Sequence, residues 1–246
     1  MKELRSEIRK LLSVRSTYYI LALTLGLVVL VGFYIEGYRL DPQLLKDPLL
    51  LSNTAPDAIT SLILLGGIVG LLLMTHEYRY NTIIYTMTTS KSRTRILVSK
   101  FLAMTIFAIF FCALVGLLSP SMTYLGVHAA HHSDLMAPQS IHYADVAWRV
   151  LYYGWAYIVA ALMLAVLIRN QVAAIASLFL IPTIEQLLSL LLKNNSVYLP
   201  FTSLGSLVST PTQGSITHVH AAFLFTGYLI IGWAAAWILF LRRDAQ

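Results

Sequence analysis

Ala58 to Thr75 reads AITSLILLGGIVGLLLMT, with no charged residue. Wound as a helix rising ~1.5 Å per residue, such a run crosses most of a ~30 Å hydrocarbon core. In lipid the backbone polar groups must pair within the chain, which leaves helices or closed barrels. Barrel strands are shorter and alternate apolar with polar residues, and this run does not alternate. Five further segments read the same way: Tyr18 to Tyr34, Phe101 to Leu118, Val150 to Ile168, Val172 to Leu192 and Ala221 to Leu241. Together the six contain one acid, Glu185, and no Lys or Arg. Charged residues make up 11% of the 246, against about 25% in soluble domains. The sequence therefore predicts an all-α integral membrane protein, a single domain of six transmembrane helices over residues 1–246.

The basic residues set its orientation. Of the 17 Lys and Arg, all but Arg39, Lys46, Arg149 and Lys193 fall on one side if the N-terminus is inside. The positive-inside rule then puts both termini in the cytoplasm, as expected of a multi-pass protein of a bacterial plasma (inner) membrane. The net charge of +6 is a topology signal and gives no argument for nucleic acid. Trp148, Tyr152, Tyr153 and Trp155 read as an interfacial belt at the outer end of span four. The lone Cys112 excludes a disulfide framework and a Cys-rich metal site.

Around the spans the chain has further organisation. Residues 2–16 predict an amphipathic helix in the headgroup plane, with Leu4, Ile8, Leu11 and Leu12 on one face and charged residues on the rest. Glu36 to Asp57 reads as an irregular or short-helical outer loop, and a second outer loop runs from Pro120 to about Arg149. Gly66, Gly67 and Gly70 give span two a face that another helix can approach closely, within the subunit or between subunits. Arg169-Asn170-Gln171 is a tight turn between spans four and five. Residues 194–220 are too apolar for a solvated loop and too Pro-interrupted to cross, which predicts a re-entrant element.

Beyond span two lies EYRYNTIIYTMTTSKSRTRILVSK, Glu77 to Lys100. Its spacing of Glu77, Thr82, Ser92, Arg93 and Lys100 resembles the first cytoplasmic loop of ABC-2 type permeases, with Asn81 where that family has Gly and Ser90 where it has Pro. The resemblance implies an interfacial N-terminal helix, short re-entrant helices between spans five and six, and a separate ATPase subunit that holds ATP and Mg. It also implies a second permease subunit, most simply in a homodimer, and export of a hydrophobic or amphipathic substrate. This chain has no GxxxxGK[ST] motif and so no P-loop of its own. It is expected to have no enzymatic activity or cofactor. Glu77, Thr82, Tyr85, Arg93 and Lys100 are the candidate ATPase-coupling residues. Tyr78, Tyr80, Ile83, Ile84, Tyr85 and Met87 are expected to fill a cleft on the ATPase, the basic residues Lys91, Arg93, Arg95 and Lys100 to meet its acids or lipid phosphates, and Glu77 to brace the loop internally.

Two other features carry potential chemistry. Glu185 is an intramembrane acid, a default pathway candidate, one turn beyond the kink expected at Pro182; Gln186 is assigned to the same translocation surface. Snorkelling, or a bond to a neighbouring helix, is the structural alternative for Glu185. His128, His131 and His132 have spacings compatible with zinc or copper, although a solvated loop needs no such role. These residues define two competing functions, a proton-coupled carrier using Glu185 and a membrane metalloenzyme using the histidines.

Overall fold

The computed structural model describes residues 2–41, 43–85, 92–131, 134, 136–138, 143–209 and 216–242. Among them the regular structure is entirely helical. Six helices are long and apolar enough to cross a bilayer: Arg15–Tyr38, Leu50–Arg79, Arg93–Ala129, Ala144–Ile168, Gln171–Leu192 and His218–Arg242. They are spans one to six of a multi-pass membrane protein.

Several helices outrun their sequence-based limits. Span two begins at Leu50 and contains Pro56, and span three continues through Pro120 to Ala129. Both prolines were expected in loops. A proline removes one i→i−4 hydrogen bond and bends a helix, yet the ladder resumes where packing holds both sides. Near Pro120, Ser119 donates to the Thr54 carbonyl of span two at 3.1 Å, tying the two helices together. At 37 residues span three is about 55 Å long, so its ends project well beyond the hydrocarbon.

The third helical proline has a compensation. Pro182 has no N–H to offer the Leu178 carbonyl one turn back. Tyr157 of span four donates its hydroxyl to that oxygen instead, at 3.4 Å.

Spans two and four form the centre. Buried positions make up 67% and 61% of their apolar windows, against 17%, 11% and 22% in spans one, five and six. The glycine face of span two is the reason they can pack so closely. A Cβ on Gly70 would stand 3.0 Å from the Ile158 carbonyl oxygen, and one on Gly67 would stand 2.9 Å from the Tyr157 ring. Those glycines thus serve contacts within the chain. A second close approach was not anticipated: span one widens into a π-helix over Val29–Tyr38, and Gly37 meets Gly126 of span three, where a Cβ would run into the Phe33 carbonyl.

Central placement changes the aromatic belt at one residue, Tyr153. Tyr153 is buried, Trp155 donates to Thr105 Oγ1 at 3.2 Å, and Tyr152 to the Ala222 carbonyl at 2.8 Å. Tyr153 thus packs inside the bundle, while Trp148, Tyr152 and Trp155 stay partly exposed, Trp148 donating to Asp145 Oδ1 at 2.9 Å.

The amphipathic helix is shorter than expected, Lys2–Ser13. Val14 is extended, at φ −82° and ψ 120°, and the chain re-enters a helix at Arg15. Leu4 and Ile8 are partly covered and Leu11 is buried, but Leu12 is 58% exposed. Between spans five and six, a 3-10 turn over Lys193–Tyr198 leads into a short helix, Pro200–Gly205, packed against both spans.

Candidate functional site at the basic end of the bundle

The amphipathic helix meets spans two and three through four charged side chains. Lys10 Nζ lies 2.7 Å from Glu7 Oε1 and 2.6 Å from Glu77 Oε1. Lys100 Nζ lies 2.8 Å from Glu7 Oε2 and 2.8 Å from Glu77 Oε1. Each acid therefore touches both bases, and the cluster is a closed, neutral ring. Lys100 is fully buried, and Glu7 and Glu77 nearly so. Buried charges forfeit several kcal/mol of hydration each, so such a ring persists only when every charge has close counter-charges. Lys100 also reaches the Leu73 carbonyl at 3.4 Å.

Helix geometry brings these residues together. Lys100 shares the core face of span three with Ile96, Leu97, Ala103 and Met104, positions three or four residues away that recur on one side of a helix. Glu7 lies three residues after Leu4 and four before Leu11, on the packed face of its own helix. Sequence reasoning assigned Glu7 to the solvated face; a charge at a core spacing opposite another such charge was the signal available. Lys100 is likewise corrected. Expected to meet a partner's acids or lipid phosphates, it meets acids of its own chain, because its position on the helix points inward. The internal contact expected of Glu77 is present.

Beyond the ring, span two ends with Tyr80 at its C-cap, and Asn81 follows at φ 53°. This left-handed conformation is one that only Gly adopts freely and Asn tolerates. The chain restarts as a helix at residues 83–85. Ile83 turns inward, whereas Tyr80, Ile84 and Tyr85 are 64%, 47% and 73% exposed, and Thr82 is exposed beside them. Met87, Ser90 and Lys91 lie outside the described residues. Where the chain returns, Ser92 caps span three by accepting from the Arg95 N–H at 3.3 Å. Half-buried Arg93 donates to the Leu241 carbonyl at 3.0 Å, a favourable place for a cation at the C-terminus of span six. The turn between spans four and five closes the base, with the Arg169 guanidinium 5.3 Å above the Tyr78 ring and Arg79 donating to Gln171 at 3.2 Å. The buried ring thus braces both arms of the loop, and an exposed aromatic tip stands on that base.

Residues 52–245 match the model of a family described as protein of unknown function, DUF2705. The chain belongs to the DUF2705 family. The DUF2705 match takes in spans two to six and the whole loop, including Glu77 and Lys100, while Glu7 and Lys10 precede it. No curated protein matches the chain.

The remaining candidates lie elsewhere in this DUF2705 fold. Glu185 is buried, and its Oε2 accepts the Thr202 backbone N–H at 2.9 Å and the Thr202 hydroxyl at 3.4 Å. It anchors the first turn of the short helix between spans five and six. Gln186 is exposed and does not share that surface, because neighbouring helical residues diverge by about 100°. His128 and His131 are exposed at the end of span three, with His128 against the Tyr124 ring at 4.5 Å and His131 at φ 57°. His132 lies outside the described residues. Among the described residues, no group of three or more His, Cys, Asp or Glu side chains converges as a metal site would require.

Proposed function

We propose that this chain is the membrane subunit of an ATP-driven exporter of the ABC-2 type, working with a separate P-loop ATPase and a second copy of itself. The observation that carries the reading is the braced loop with an exposed aromatic tip. A closing ATPase dimer needs a stiff element to relay its motion into the helices. Tyr80, Thr82, Ile84 and Tyr85 offer an apolar surface with hydroxyls for a cleft on the ATPase, and the ion ring holds the base of that surface to spans two and three. Asn81 strengthens the likeness. It stands where the family pattern has Gly, and its left-handed backbone is the conformation that favours Gly. On this reading the basic end faces the cytoplasm of a bacterial cell, and the exported substrate is hydrophobic or amphipathic.

Arg93 contributes less directly than its position in the motif implies, because its guanidinium also closes the end of span six. Glu185 positions the short helix near the proposed exit, a supporting role that does not favour a proton-coupled carrier. The test is co-purification. Tagged protein solubilised from its native membrane should retain a P-loop ATPase, and Tyr85→Glu should lose it while the six spans still insert. Absence of any ATPase from the wild-type complex, or full retention by Tyr85→Glu, would count against the proposal.

A further inference from the structure

Beside the ion ring, between the amphipathic helix, the first turns of span one and the last turns of span two, lies a cavity of about 610 Å³. Leu11, Leu72 and Leu73 supply apolar wall, and Lys10, Ser16 and Glu77 supply polar wall. Two buried atoms of this wall have no hydrogen-bond partner, Glu77 Oε2 and Ser16 Oγ. Glu77 is only 6% exposed, and both lysines of the ring approach its other oxygen. A buried carboxylate oxygen without a donor is a conspicuous vacancy in hydrogen bonding. The cavity is far larger than the ~30 Å³ that one water occupies in the liquid, so a single water at Oε2 would not fill it.

We propose that this cavity binds a membrane phospholipid whose headgroup carries a primary ammonium. The ammonium donates to Glu77 Oε2, the phosphate lies against Lys10 and the Ser16 hydroxyl, and the acyl chains follow the leucine wall. Charge and geometry favour this occupant over other lipids. A trimethylammonium group has no N–H to donate, and an anionic glycerol headgroup can offer the carboxylate oxygen only neutral hydroxyl donors, weaker than an ammonium and carried on a lipid of like charge. Lys10 has three N–H groups and directs two at Glu7 and Glu77, and its side chain is 37% exposed. The site sits where an amphipathic helix meets the foot of a membrane span, the depth at which phospholipid headgroups are found. The inference rests on the six spans lying in a bilayer. Tyr80, Thr82 and Tyr85, assigned above to the ATPase surface, also line the cavity, but lipid retention is read without an ATPase, so the two readings fail separately.

The test uses the full chain in nanodiscs of mixed phosphatidylethanolamine, phosphatidylcholine and phosphatidylglycerol, with retained lipid counted by native mass spectrometry. One phosphatidylethanolamine should remain per chain, favoured over phosphatidylcholine by about tenfold, the least expected of one charge-assisted hydrogen bond. Leu72→Trp fills the cavity without touching the ring and should abolish retention. Successive methylation of the headgroup nitrogen should leave binding until the last N–H is lost, a series that needs no change to Glu77. Retained lipid that mirrors the bilayer mixture would overturn the proposal, as would retention by Leu72→Trp. Equal competition by soluble phosphoethanolamine would overturn it too, by showing that the acyl chains are not part of what is recognised.

Discussion

Lys10 Nζ approaches Glu77 Oε1 to 2.6 Å across 67 positions of sequence. That contact links the amphipathic helix to the end of span two, where the exposed loop begins, and Lys100 completes the link to span three. The helix at the start of the chain is thereby part of the loop's foundation, and displacing it would release both arms together.

Removing one member of the ring should therefore be costly. Lys100→Met leaves Glu7 and Glu77 buried with a single counter-charge, and a loss of about 3–5 kcal/mol is expected. Lys100→Met combined with Glu7→Gln should cost less than the two changes summed, because they share one network. Unfolding in mixed micelles reads both values. A Lys100→Met penalty no larger than that of an exposed lysine would contradict the buried ring.

Lys10 adds a pH dependence. Burial alone would lower its pKa, but the hydrogen bonds and charges of Glu7 and Glu77 outweigh that and raise it above the ordinary lysine value. A base whose folded pKa is raised gives stability that is fully present below the unfolded value, about 10.4, and is lost as pH rises through the folded value. Deprotonation of Lys10 should accordingly loosen the amphipathic helix in strong alkali. A fluorophore at Ser6 should report its release there, and Lys10→Met should remove that step. Release of the wild-type helix near neutral pH would contradict the assignment.

The backbone at Asn81 makes a separate forecast. Asn81→Gly should leave stability within a few tenths of a kcal/mol, whereas Asn81→Val should cost about 1–2 kcal/mol, since a β-branched residue resists left-handed φ. Thermal unfolding of the two variants decides it, and equal stability would mean that the turn is not left-handed.

For Glu185, loss of the carboxylate should free the short helix. Glu185→Ala removes a charge-assisted hydrogen bond worth about 1.5–3 kcal/mol, so backbone amides of residues 201–205 should exchange faster while span five remains protected. Unchanged exchange would show that Glu185 does not anchor this helix.

The spans were legible in the sequence because apolar length alone identifies them. Their ends were not, because Pro56 and Pro120 look like loop signals until neighbouring helices are there to hold the bend. The short element between spans five and six could be read from its apolar, Pro-interrupted composition, but the anchoring role of Glu185 could not, since its partner Thr202 is defined only by the fold. The internal contact of Glu77 was anticipated. Lys100 and Glu7 were misplaced for a common reason. Charge suggests solvent, and only the facing of three helices turns two acids and two bases into a neutral core.

The most direct measurement of the central claim is photocrosslinking from the loop tip in native membranes. A photoreactive residue at Tyr85 should yield an adduct with a P-loop ATPase that changes when ATP is bound, and the same probe at Tyr124, at the opposite end of the bundle, should yield none. No ATPase adduct at position 85, with the chain correctly inserted, would contradict the account of this protein as a permease subunit driven through that loop.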